Sequence, residues 1–140
     1  MVEARRVTAG HPQGKTMKLQ VPQDACVIYP SKEARGKYVA HSLRTDQIGV
    51  GDSVLDAYVE LLRALRALYA DARNDSRVVT DRLAPDDVWK MLPVARRLPR
   101  ELEENAIRIV NGRKTSGECR FRSRGREPVL APAPPELVRA

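Results

Sequence analysis

The most constraining feature of the chain is a long amphipathic segment, Val54 to Arg73, entered through Gly49-Val50-Gly51-Asp52-Ser53. Val54, Tyr58, Leu61, Leu65, Leu68 and Ala72 recur at spacings of four and three, which places them on one face of a helix. Leu55, Val59 and Leu62 widen that apolar arc, and Asp56, Glu60, Arg63 and Arg66 flank it. At 1.5 Å per residue such a helix is roughly 30 Å long, enough to cross a small sheet. The two glycines permit close backbone approach or positive φ. Asp52 or Ser53 can cap the helix, because a short side-chain oxygen accepts from its first N–H groups.

Strands are expected before this junction. Ala25 to Pro30 is short, apolar and β-prone, and the polar SKEARG stretch ending in Gly36 reads as a hairpin turn. Lys37 to Arg44 follows, with Tyr38, Ala40 and Ser42 on one face and Val39, His41 and Leu43 on the other. A third strand is expected at Asp46 to Val50, and an earlier one at Lys18 to Val21. After the long helix, Arg77 to Thr80 reads as a fourth strand. Pro85 opens a short helix through Met91, and Pro99 opens another to Val110, stopped by Asn111-Gly112. The fold class is therefore α+β: a small antiparallel sheet in the order β-β-β-α-β, packed on one long helix, with extra C-terminal helices.

This organisation divides the chain into a disordered leader at 1–16, an α/β domain at 17–82, a helical extension at 83–112 and a disordered basic, Ala/Pro-rich tail at 113–140. The tail has few large apolar groups with which to offset its ordering entropy. Met17 begins MKLQV and reads as a natural start.

The net charge of +7 first suggests nucleic acid, but it is unevenly spread. Basic and acidic side chains number three and one in residues 1–16, 15 and 14 in residues 17–112, and seven and three in residues 113–140. The excess lies in the flanks, where counterion release could favour RNA, DNA or an acidic partner. Arg113, Lys114, Arg120, Arg122, Arg124 and Arg126 surround Phe121, a pattern that can bind single strands by charge and stacking. No apolar run is long enough to span a membrane, and the N-terminus has no secretory apolar stretch, so retention in the cytosol is expected.

Chemistry-bearing constellations are sparse. Cys26 and Cys119 are far apart and read as two free thiols. Only His11 and His41 are present, so no metal site and no cofactor are expected. His41 and Ser42 are adjacent on a strand and point to opposite faces, which prevents direct cooperation. Asp46 and Asp52 are explained as turn and cap residues. GVGDS lacks both the Gly-Lys-Ser/Thr continuation of a phosphate loop and the third glycine of a dinucleotide loop. Catalysis is not expected.

The stretch Tyr38-Val39-Ala40, then Gly51-Asp52-Ser53, then Ala57 and Leu61 resembles the core of HicB-type antitoxins. The tyrosine-proline end of Ala25–Pro30 is similar to the preceding strand of that family. The resemblance covers residues 25–74. It implies a partial ribonuclease-H-like fold without the enzyme's catalytic carboxylates, in a bacterial cytosolic protein. It also implies docking onto a small mRNA-cleaving toxin, with the toxin's active-site histidine covered. The family's Pro-Asp-Leu-Pro-Gly-Cys segment is replaced here by Ser42 to Gln47, a variant similar to stand-alone members, for which nucleic-acid binding through the basic tail is the alternative role. Arg97 to Leu102 is similar to the strand-to-helix start of a ribbon-helix-helix, although its second helix is missing. The partner surface expected on this reading comprises Tyr38, His41, Leu43, Leu55, Val59 and Leu62. The broad arc of the long helix further suggests a homodimer or higher oligomer.

Overall fold

A computed structural model describes residues 24–112 and 127–133. Its elements are β1 (Ala25–Pro30), β2 (Tyr38–Ser42), β3 (Ile48–Gly51), α1 (Val54–Asn74), α2 (Asp86–Trp89), β4 (Arg96–Arg97), α3 (Arg100–Val110) and β5 (Val129–Pro132), with a 3-10 turn at Leu92–Val94. The class is α+β, with the long helix packed on a five-stranded sheet in the order β3-β2-β1-β5-β4. The β1–β2, β2–β3 and β1–β5 pairs are antiparallel. The sheet is nevertheless mixed, because β4 runs parallel to β5.

β1 is the central strand and is covered on both faces, which explains its unbroken apolar run. Cys26 and Ile28 face α1, while Ala25 and Val27 face a second cluster with Leu43, Ala84, Val88 and Leu92. Burial pushes the Cys26 thiol well above the ordinary thiol range, so it stays protonated and packs as a small apolar group. The hairpin after β1 turns at Gly36, whose φ is +80°, and Ser31 Oγ accepts from the amides of Glu33 and Ala34.

Helix α1 lies directly against the backbone of β3. A Cβ added at Gly49 would sit 2.2 Å from the amide nitrogen of Leu61, and one at Gly51 would sit 2.5 Å from that of Ala57. Close approach is therefore the reason for both glycines, and neither has positive φ. Ser53 is the N-cap, its Oγ accepting from the Asp56 amide at 3.0 Å. Asp52 instead pairs with Lys37 across the sheet end. Val54, Tyr58, Leu61 and Leu65 are buried as their spacing requires, while Leu68 and Ala72 are half-buried.

Three expectations are corrected. Arg77–Thr80 is not a strand: Arg77 folds back on Asp75 and Val79 is 60% exposed. Only the amides of Arg82 and Ala84, further on, reach the carbonyls of Arg44 and Leu43. The strand that follows the helices in the sheet is β5, taken from a tail expected to be disordered. Its composition is poor, but Val129 and Ala131 enter the α1-side core and Leu130 the opposite one, so three apolar residues serve two faces. The Tyr58 hydroxyl also donates to the Pro132 carbonyl at 2.5 Å, tying α1 to β5.

The third correction concerns the wide arc of α1, which is covered within the chain. Leu102, Ala106 and Val110 of α3 join Val59, Leu62 and Leu65 in one core. Arg66 donates to the Val110 carbonyl at 2.9 Å and to the Asn111 side chain, satisfying the C-terminal end of α3. Residues expected to lie in the extension and the tail thus share a core with the α/β unit. Lys18–Val21 and most of the basic tail lie outside the described residues.

Candidate functional site

The expected partner residues separate once folded. Leu43 and Leu62 are fully buried and Val59 nearly so, which removes all three from any docking surface. Tyr38 and Leu55 are half-buried and pack against the α1-side core. His41 is only 8% exposed. Gly51, Asp52 and Ser53 occupy the strand-to-helix junction as read. Arg113, Lys114, Arg120, Phe121, Arg122, Arg124 and Arg126 lie outside the described residues.

An exposed apolar patch lies elsewhere, on the side of β2 and β3 turned away from α1. In the antiparallel register Val39 faces Val50 and His41 faces Ile48, with Tyr29 beside Val39 on β1. Ile48 is 51% and Val50 45% exposed. The cause is local: Gly49 and Gly51 must face the helix, so period-two alternation throws Ile48 and Val50 to the other side. Among the described residues β3 pairs with β2 alone and forms one edge of the sheet. Its outer backbone groups are therefore a template for another strand. The opposite edge, β4, carries Arg96 and Arg97, both exposed, which discourages such pairing.

A polar chain underlies this face. His41 Nε2 lies 2.6 Å from Asp46 Oδ1, and Nδ1 lies 3.1 Å from the Tyr29 hydroxyl. A carboxylate only accepts, so we assign the proton to Nε2, and a neutral ring then accepts from Tyr29 at Nδ1. The Tyr29 and His41 rings stack with centroids 6.4 Å apart. Burial, with Asp46 and Glu33 adding charge, raises the Tyr29 phenol above its ordinary range. Asp46 has φ +58°, a conformation in which its side chain turns back toward the imidazole. Ser42 points away and its Oγ accepts from Thr45 at 2.7 Å. The arrangement holds the β2–β3 turn and orients the imidazole between the Asp46 carboxylate and the Tyr29 hydroxyl.

Among the described residues no group of three or more His, Cys, Asp or Glu side chains could hold a metal ion, and no helix is long and apolar enough to cross a membrane. Sequence reasoning missed Ile48 and Val50, although the Gly-x-Gly alternation carried the signal. Comparison with protein-family models, curated proteins and solved structures found no match.

Proposed function

We propose that the chain is a non-catalytic docking protein of the HicB antitoxin type, which neutralises a small mRNA-cleaving toxin in a bacterial cytosol. The observation that carries this reading is the exposed apolar face of β2 and β3, centred on Ile48 and Val50 and bordered by an open strand edge. Apolar side chains beside an unpaired edge suit strand addition: backbone hydrogen bonds supply affinity and alternate side chains supply specificity. The resemblance adds support, since Tyr38 and Ala40, the Gly51-Asp52-Ser53 junction, Ala57 and Leu61 meet in one strand-to-helix packing unit. His41 and Tyr29 serve as the rigid base of the face. A second copy of the chain could occupy the same edge, and the oligomeric state of the complex separates these occupants.

The test is coexpression with each small protein encoded by the reading frames adjacent to that of this chain, scored for mRNA cleavage. The expected result is a stable complex and loss of mRNA cleavage, both abolished by Ile48→Asp with Val50→Asp. A toxin that remains active with the wild-type chain refutes the reading. So does neutralisation that survives the double substitution.

A further inference from the structure

A second site lies beside this face, at the Pro30–Tyr38 end of the sheet. A cavity of about 620 Å³ opens there between the β1–β2 hairpin, the segment following α2, and Pro128 at the start of β5. Its size falls within the roughly 300–1,000 Å³ of ligand sites. The floor is apolar, formed by Tyr29, Met91, Val94 and Pro128. Lys32 and Lys37 stand on the hairpin side and Lys90 on the other, and among the described residues the lining contains no Asp or Glu. Lys37 is committed to Asp52, whereas Lys32 and Lys90 have no ion pair among the described residues.

We propose that this groove binds a strand of single-stranded nucleic acid, with a base on the apolar floor and flanking phosphates at Lys32 and Lys90. Charge complementarity fixes the sign of the occupant, and the apolar lining between the cations narrows its chemistry. Lysines flanking an apolar lining that includes Tyr29 match the pattern of single-strand sites, where cations track the phosphates and bases stack on apolar and aromatic side chains. Base identity is not read. The Tyr29 hydroxyl is engaged by His41 and Ser31 Oγ by the hairpin amides, so recognition rests on stacking and charge, both tolerant of sequence.

Fluorescence anisotropy of the full chain with labelled oligouridylate and oligothymidylate of about 12 nucleotides tests this proposal, over salt from about 50 to 200 mM. Both oligonucleotides are expected to bind. Lys32→Glu with Lys90→Glu lowers affinity by about tenfold or more and reduces the log–log salt slope by about 1.4, or 0.7 per lost phosphate contact on a single strand. Val94→Asp, at an exposed floor position, also weakens binding while leaving the circular dichroism spectrum intact. Arg73→Glu with Arg108→Glu makes the same change in net charge away from the groove and retains affinity within about threefold, as screening limits distant charges.

Four results overturn the proposal. They are absence of salt-dependent binding, equal loss in the two double variants, loss only on Arg→Gln replacement at 120, 122, 124 and 126, and displacement by a polyglutamate peptide at lower concentration than by the unlabelled oligonucleotides. No toxin is present in the assay, so its failure leaves the docking reading separately testable.

Discussion

Replacing Gly49 with alanine directs a methyl group into the backbone of α1. The new Cβ would lie 2.2 Å from Leu61 N, 2.6 Å from the Ala57 carbonyl oxygen and 2.7 Å from the Glu60 carbonyl carbon. Non-bonded heavy atoms rest at about 3.5 Å or more, so helix and strand must separate by about 1 Å. No flexible side chain stands in the way to absorb the shift. A gap of this size forfeits about a quarter to a half of each interfacial dispersion contact. Overpacking commonly costs about 1–3 kcal/mol, and a backbone obstacle places Gly49→Ala at about 3 kcal/mol or above. For a chain of this size that lowers Tm by about 10 °C or more. Gly36→Ala is the control: its Cβ meets nothing within 4 Å, and only the φ of +80° opposes it. That conformation costs a non-glycine residue about 1–2 kcal/mol. Thermal melts followed by far-ultraviolet circular dichroism rank the two. A Gly49→Ala protein melting within a few degrees of wild type, or above Gly36→Ala, refutes the close-approach argument.

Further outcomes follow from the same packing. His41→Phe leaves the Tyr29 hydroxyl and the Asp46 carboxylate without their shared partner and should cost about 1–3 kcal/mol in urea unfolding. Tyr58→Phe removes the donor to the Pro132 carbonyl, a loss of about 1 kcal/mol, with faster amide exchange in β5 than in β1. Glu103 has its carboxyl raised above the ordinary range, chiefly by burial, and its Oε1 is buried without a hydrogen-bond partner. A raised acid favours the folded state only while protonated, so this carboxylate opposes folding once the pH exceeds its unfolded value. Glu103→Gln should therefore raise Tm at neutral pH, with the gain vanishing as the pH falls through the carboxylate range. An unchanged difference at all pH values contradicts that assignment.

The three N-terminal strands and α1 were legible because each rests on local pattern: an apolar run ended by Pro30, alternation across Tyr38–Ser42, and a four-three stripe from Val54. What the sequence hid was long-range. Nothing near Val129-Leu130-Ala131 announces that β1 lies alongside, so an Ala/Pro-rich stretch read as disorder although it supplies a strand. Arg77–Thr80 has β-prone valines but no partner strand within reach. The candidate site failed in the same way. Leu43, Val59 and Leu62 are apolar at positions that local pattern leaves open, yet α3 and the 84–92 segment cover them. Ile48 and Val50 are hard to read from sequence because their exposure depends on two glycines that face the helix.

Hydrogen–deuterium exchange of the chain, alone and with the candidate toxin, asks most directly whether the β3 edge is a docking surface. Strand addition should protect the amides of Ile48–Gly51 in the complex while leaving the exposed face of α1 unchanged. A stable complex that protects α1 or α3 and leaves β3 exchanging as in the isolated chain would contradict it.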